Sequence, residues 1–334
     1  MSLTAEPDYI NRRTGLIVFG IFEMLLGGLC ALLIPLMLFA QTLASRRPGG
    51  GQAMPFIGFS IALYAGLAIA FVWLGIGSAL ARRWARALWL CLSAVVLCGG
   101  VIGCVFMIWY LPHLGEGMVQ AGQPVPPPAV LLTMRIVAGV VMFVFYLLIP
   151  GALFLFYRSP HVKRTCEVLD PVERWTDRCP LPVLALSLAL GCTGLGFLAL
   201  MGIGHGVPVF GVLLTGPAHS IVSILILALL IGTARGLYRL RLGAWWTALG
   251  LQLVLGLSGL VTSWRGNFAA LYAKMGLDSH LSAPAGQLMS SAGFRWLAPV
   301  GILPWIVWLL WVRRYFLAPP MAIPSEPQLG ESPQ

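Results

Sequence analysis

The chain has 334 residues, of which 59% are hydrophobic and only 10% are charged, and its mean hydropathy is +0.89. A water-soluble domain of this size cannot bury so large an apolar fraction, so the composition excludes a soluble globular protein and indicates a membrane protein. The net charge of +10 does not require nucleic acid, because basic residues that flank membrane spans interact with anionic headgroups. We therefore expect the lipid bilayer, and no nucleic acid, as a partner.

Eight apolar stretches each have about the 20 residues that a helix needs to cross the hydrocarbon layer. They do not alternate polar and apolar residues, so they predict helices rather than the strands of a barrel. The predicted fold class is an all-α, polytopic transmembrane helical bundle with eight spans. In chain order these spans are residues 16–40, 56–81, 87–111, 136–157, 181–201, 217–234, 243–262 and 296–312.

A charged segment divides the spans into two sets of four. The predicted units are a first four-helix half at 1–157, a cytoplasmic charged linker at 158–180, a second four-helix half at 181–317 and a disordered tail at 318–334. Two outer loops are long enough to fold locally, at 112–128 and 264–294. The second of them begins with an amphipathic pattern, from Phe268 to Met275, that predicts a short helix on the membrane surface.

The distribution of basic residues predicts the orientation. With eight spans, 15 of the 21 Lys and Arg residues fall on the side of the linker, and such an excess places that side and both termini in the cytoplasm. These residues are Arg12, Arg13, Arg82, Arg83, Arg86, Arg158, Lys163, Arg164, Arg174, Arg178, Arg235, Arg239, Arg241, Arg313 and Arg314. Each half is generically similar to small four-span bacterial inner-membrane proteins that have a basic, Trp-containing turn between the second and third helices, here residues 82–86. The resemblance implies no residue roles. The expected location is the inner membrane.

The two halves match at a nearly constant separation, which predicts a parallel 4+4 internal repeat. The matching pairs are Gly27 with Gly191, 164 residues apart; Gly75 with Gly236, Trp84 with Trp245, Ala87 with Ala248 and Leu88 with Leu249, each 161 apart; and Arg135 with Arg295, 160 apart. In this alignment Ser187 is the counterpart of Glu23. The alignment also predicts that residues 202–216 lie at the outer surface and that His219 sits near the outer end of its span.

Glu23 is the only acidic residue inside a predicted span, about two turns from the cytoplasmic end of the first helix. A carboxylate in lipid costs about 2.5 kcal/mol or more, so this side chain should face the bundle interior and be protonated or paired. Nothing basic lies at the same depth, which disfavours an ion pair. Two roles stay open: a functional protonatable group, and a neutral acid that hydrogen-bonds a neighbouring helix for packing.

Gln252, midway along the seventh span, is the second intramembrane polar candidate, and interhelical hydrogen bonding is its expected role. Four histidines fall on the predicted outer side without a helical i, i+4 pair, and the cysteines lack ligand spacing. The sequence also lacks phosphate-loop, zincin, hydrolase-elbow and haem-attachment motifs. We therefore expect no metal site and no cofactor.

The linker contains the polar candidates outside the spans, Asp170, Arg174, Asp177 and Arg178. One interpretation is a segment whose acids and bases pair with each other and with headgroups. The other is a docking surface or a small catalytic loop.

Three functions follow, in order of preference. The first is a non-enzymatic membrane subunit or scaffold, with a membrane protein as its possible partner, because buried polar groups are few and no catalytic motif is present. The second is a small-molecule or lipid carrier that works between the halves with Glu23 as a protonatable gate. The third is a membrane enzyme whose linker acts on lipid headgroups. No catalytic residue is identified, and enzymatic activity is not expected.

Overall fold

The protein is described here by a computed structural model, which covers residues 9–45, 57–120, 126–203, 206–265 and 292–317. The predicted surface helix at residues 268–275 and the predicted disordered tail lie outside these ranges.

Helices make up nearly all of the described chain, which confirms the all-α membrane bundle. Long apolar runs favour helices because only internal backbone pairing satisfies peptide groups away from water. The helices are α1 (Arg13–Ser45), α2 (Ile57–Ala79), α3 (Arg83–Gln120), α4 (Pro128–Phe143), α5 (Ile149–Arg158), α6 (Pro160–Leu169), α7 (Leu181–Ile203), α8 (Gly216–Tyr238), α9 (Leu242–Arg265), α10 (Ala292–Val312) and α11 (Arg314–Leu317). A π-helical turn, Val144–Leu148, joins α4 to α5, and a 3-10 turn, Trp175–Arg178, precedes α7.

Within the described ranges, seven helical segments are long and apolar enough to cross a membrane. They are α1, α2, α3, the continuous rod of α4 and α5, α8, α9, and α10 with α11. The predicted fifth span corresponds to α7, whose apolar stretch, Leu181–Phe197, is shorter. The count of eight spans therefore stays a prediction.

Successive long helices run in opposite directions, so the linker and many helix ends gather at one end of the bundle. The backbone N–H of Arg12, before α1, donates to Thr165 Oγ1 of α6 over 3.1 Å. The Tyr238 hydroxyl, at the end of α8, donates to the Trp175 carbonyl over 2.9 Å. We call this end the linker end. It contains the first turns of α1, α3, α7 and α9 and the last turns of α2, α5, α8 and α10.

Two predicted loops have more structure than their sequences suggested. Helix α3 continues past the predicted span end at residue 111 and stops at Gln120. Residues 207–214, predicted as a surface loop, contain an antiparallel hairpin of β1 (Val207–Val209) and β2 (Val212–Leu214). The hairpin turn is held on α9, because the N–H of Gly211 donates to Thr262 Oγ1 over 2.9 Å. An apolar sequence alone does not reveal such side-chain support.

The turn between α2 and α3 has the same geometry as the turn between α8 and α9. Ala81 and Leu240 both have a left-handed backbone, with φ of 53° and 54°. The N–H of Ala81 donates to the Ser78 carbonyl, and the N–H of Leu240 donates to the Leu237 carbonyl, each over 2.8 Å. Ser78 and Leu237 thus occupy the same position in the two turns.

Two glycines show which residues of the two turns are equivalent, and so give the sequence offset between them. A Cβ on Gly77 would lie 2.7 Å from the Ala85 Cβ, and a Cβ on Gly236 would lie 2.5 Å from the Ala244 Cβ. The geometry therefore pairs residue 77 with 236 and residue 85 with 244, both 159 apart. The sequence comparison instead paired Gly75 with Gly236. Runs of small apolar residues match in several registers, and only the backbone contacts distinguish them.

Candidate functional site

Glu23 lies inside a buried chain of hydrogen bonds in the first half. Its side chain is 0% exposed. The Tyr157 hydroxyl of α5 donates to Glu23 Oε1 over 2.7 Å, and Ser78 Oγ of α2 lies 2.5 Å from the same hydroxyl. With the Tyr157 proton directed at Glu23, Ser78 is the donor to Tyr157. Such a chain is cooperative, since each donor polarises the next.

Trp89 of α3 completes this group of side chains. Its indole faces the Glu23 carboxyl, and its ring stacks against Tyr157 with centroids 6.4 Å apart. Trp89 Nε1 and Glu23 Oε2 are both buried, and neither has a hydrogen-bond partner in the described part of the chain. We call Glu23, Ser78, Trp89 and Tyr157 the polar cluster. In this cluster Glu23 Oε1 accepts a hydrogen bond from Tyr157, whereas Glu23 Oε2 accepts none.

The polar cluster lies close to the linker end and is covered there by α6. Ser78 and Tyr157 are each one residue from the end of their helices, a rise of about 1.5 Å. Val162 and Cys166 of α6, both 1% exposed, pack in the same apolar group as Tyr157. Water therefore has no direct path to Tyr157 while α6 is in place.

Two hydrogen bonds connect α6 to the segment that precedes α1. The N–H of Ile10 donates to His161 Nδ1 over 3.3 Å, in addition to the bond from Arg12 to Thr165. Thr165 is itself 1% exposed. These contacts join α6 to the segment that leads into α1.

The linker candidates form an ion-pair network at the other end of α6. Asp170, 2% exposed, lies 3.5 Å from Arg82 Nη1 and 3.2 Å from Arg174 Nη2, and it accepts the backbone N–H of Arg83 over 3.2 Å. Asp177 lies 3.4 Å from Arg83 Nε and accepts the backbone N–H of Arg174 over 2.9 Å. These contacts fasten the linker to the turn between α2 and α3.

The charges of this network determine the ionisation of Asp170. Burial alone would raise the pKa of its carboxyl. The hydrogen bonds from Arg174 and Arg83, together with the charges of Arg174 and Arg82, outweigh burial and hold this pKa below its usual range. Asp170 is therefore an ionised structural group. Arg178 is exposed and takes part in no ion pair within the described residues.

Gln252 does not join the polar cluster. It lies near the middle of α9, half-buried, and its amide has no hydrogen bond among the described residues. By contrast, the hydroxyls of Ser187 and Thr247 bond to the carbonyls of Ala234 and Gly243 over 2.7 Å and 2.9 Å.

His219 lies in the first turn of α8 and is 6% exposed, so it is at a helix end; that this end is the outer one stays a prediction. Its Nδ1 lies 3.4 Å from Ser223 Oγ. Across the described ranges, no group of three or more His, Cys, Asp or Glu side chains is placed to hold a metal ion.

Sequence reasoning missed the other three members of the polar cluster, Ser78, Trp89 and Tyr157. Tyr157 and Trp89 lie near span ends, where tyrosine and tryptophan usually anchor a helix at the membrane interface. Ser78 did not stand out because serine is common in membrane spans. No sequence spacing links residue 23 to residue 157. The signal that pointed to the site was the carboxyl alone.

Two depressions on the surface are apolar. One, of about 350 Å³, is lined by α4 residues between Ala129 and Val137. The other, of about 300 Å³, lies between α1 and α5 and is lined by residues such as Phe19, Phe22 and Leu153. Neither is lined by an ionisable side chain. Comparison with protein-family models, with curated proteins and with solved structures finds no match to this chain.

Proposed function

We propose that the chain is a non-enzymatic integral membrane subunit or scaffold, and that it binds another membrane protein within the bilayer. Gln252 is the observation on which the proposal rests. An amide near the middle of a membrane helix is costly without a hydrogen-bond partner, and this one has none among the described residues. A polar group on a partner helix would satisfy it.

The orientation and location belong to the same proposal. We place the linker end in the cytoplasm, with both termini on that side of an inner membrane. Helix α7, the predicted fifth span, brings the number of spans from seven to eight. The excess of Lys and Arg near that end supports this assignment.

We also infer that the two halves are a duplicated four-helix unit. The matching turns and the register of 159 support the repeat. Packing between the first two helices of each half agrees with it. Gly27 faces Val72, and Gly194 faces Ile231, which is 159 residues after Val72. Gly194 is 167 residues after Gly27, and the same offset makes Leu190, rather than Ser187, the counterpart of Glu23.

A carrier has less support from the geometry. The polar cluster joins α1, α2, α3 and α5, which all belong to the first half, so Glu23 is not at the contact between halves. A carrier that alternates between two faces needs its site where the halves move against each other.

An enzyme that acts on headgroups through the linker has less support too. The carboxylates of Asp170 and Asp177 are already engaged by arginines and by backbone N–H groups. A general base or nucleophile must be able to reach its substrate.

Replacing Gln252 by leucine is expected to weaken partner binding. One interhelical hydrogen bond contributes about 1 kcal/mol, so recovery of the partner should fall about fivefold at limiting concentration. The measurement is affinity purification from mild-detergent membranes, with quantitative mass spectrometry of the proteins that co-purify.

Thr247→Val is the matched control on the same helix. It also removes a polar group from α9, but the Thr247 hydroxyl is bonded within its own helix. Its partner recovery should equal that of the wild type. Equal recovery for Gln252→Leu, with a stoichiometric partner present, would remove Gln252 from the interface; no partner in any sample would contradict the proposed function.

A further inference from the structure

We propose that the polar cluster is a proton-binding site closed by α6, and that ionisation of Glu23 releases α6 from the end of the first half. This regulatory role goes beyond the proposed function. It rests on four features: the enclosure of the carboxyl, the polar groups around it, the contrast with the second half and the position of α6.

The enclosure favours the neutral acid while α6 is docked. Within the described ranges no Lys, Arg or His forms an ion pair with Glu23, and the Tyr157 hydroxyl donates the hydrogen bond that reaches Glu23 Oε1. Leaving a buried carboxylate without a cation costs several kcal/mol, so the side chain holds a proton as long as water is excluded.

The same surroundings are suited to the anion once water enters. Tyr157 donates to one carboxyl oxygen, and the indole N–H of Trp89 faces the carboxyl without a partner of its own. Hydrogen bonds to a carboxylate favour the charged form. The cluster therefore supports two states, neutral when dry and ionised when hydrated.

In the proposed repeat, the second half lacks this cluster at the matching positions. Leu237, 0% exposed, takes the place of Ser78 in the matching turn. In the register of 159, Ala248 takes the place of Trp89. The corresponding core of the second half is formed by apolar side chains that include Leu184 and Val312.

The position of α6 makes it the element that moves. Ser78 and Tyr157 are at the last turns of their helices, and Val162 and Cys166 of α6 pack in the same buried group as Tyr157, so α6 covers this end of the cluster. A hydrated carboxylate needs that space. The ion pairs of Asp170 lie beyond the end of α6 and hold the linker while its helix opens.

Other titratable and charged groups surround the cluster, and the test must separate them from Glu23. The nearby groups on the packed elements are Arg13 of α1, Arg82 after α2, Arg86 of α3, Tyr157 and Arg158 of α5, and His161, Cys166 and Glu167 of α6. Comparison with a Glu23 variant at each pH cancels the contributions of these groups.

Cys166 is a built-in reporter of the docking of α6. The full-length protein, in lipid nanodiscs, would be treated briefly with iodoacetamide, and alkylation at each cysteine measured by mass spectrometry. The rate at Cys166 in the wild type, divided by the rate in Glu23→Gln, should be about 1 near pH 6. Each pH unit can raise the open population up to tenfold, so the ratio should reach about ten or more near pH 9.

Cys179 is the internal control. Burial raises the pKa of both Cys166 and Cys179 to about 11, so thiolate formation follows pH similarly at the two sites. Cys179 packs in the core of the second half, away from the cluster. Its ratio between wild type and variant should stay near 1 at every pH.

A ratio at Cys166 that does not change with pH would overturn the proposal. Should Glu23→Gln fail to fold, Glu23→Leu gives the same comparison.

Amide hydrogen exchange in the wild type needs neither variant. Exchange in α6, relative to exchange in the last turn of α8, should accelerate about tenfold or more above neutral pH. Parallel exchange in the two segments would overturn the proposal equally.

Discussion

Gly75→Leu is expected to prevent the first half from folding. Helices α1 and α2 lie close together at this position: a Cβ on Gly75 would lie 2.7 Å from the Gly20 carbonyl oxygen and 2.8 Å from Met24 Cγ. A backbone oxygen cannot rotate away, so the helices would have to separate. Overpacking of this kind costs about 3 kcal/mol or more. The measurement is the amount of monodisperse protein and its thermal midpoint in detergent.

Gly66→Leu is the matched control in the same helix. Gly66 is exposed, and no atom would lie within 4 Å of a Cβ there. This variant should behave like the wild type. Equal loss from both substitutions would show that any leucine at a glycine of α2 is harmful, and would contradict the specific contact of Gly75 with Gly20.

Asp170→Ala is expected to loosen the linker and to lower the free energy of unfolding by about 2 kcal/mol. The substitution removes the carboxylate that holds Arg82, Arg174 and the N–H of Arg83. This cost is smaller than that of breaking a fully buried ion pair, because the side chains of Arg82 and Arg174 are 42% and 37% exposed. Water can therefore solvate the two guanidinium groups when the carboxylate is removed. Denaturant unfolding followed by tryptophan fluorescence measures the change.

The effect of Asp170 should also depend on pH. Its pKa in the folded protein is below its usual range, so its contribution is present above the unfolded value of about 3.9 and is lost as pH falls through the folded pKa. Wild type and Asp170→Ala should therefore converge in stability below about pH 4. A difference in stability between wild type and Asp170→Ala that persists unchanged in acid would contradict the ion-pair assignment.

Asp177→Asn, which affects a more exposed carboxylate, should lower the free energy of unfolding by about 1 kcal/mol or less.

Composition was enough to predict the fold class, because lipid permits few alternatives to helices for runs as apolar as those of α1 and α3. Helix ends were harder to predict. Helix α3 continues to Gln120, and the hairpin at 207–214 depends on hydroxyls of α9 that no local pattern reveals.

The site was predictable only in part. Glu23 stood out because a carboxyl inside a span is expensive, and its burial follows from that cost. Its partners Tyr157 and Ser78 are separated from it by 134 and 55 positions, and only the packing of α1, α2 and α5 brings them together. The sequence marked Asp170 as a candidate because it is a polar residue in the linker. In the structure its arginine neighbours make it an ionised group with a structural role. Its arginine partner Arg82 belongs to the turn between α2 and α3.

The most direct test of the subunit assignment compares wild type with Glu23→Gln. Both would be purified from native membranes in mild detergent, and the proteins, lipids and small molecules that co-purify would be identified by mass spectrometry. The account predicts a stoichiometric protein partner in both samples, because Glu23 is enclosed within the first half and does not face a partner. A protein that purifies alone, with a bound small molecule that Glu23→Gln loses, would contradict the account and establish a carrier.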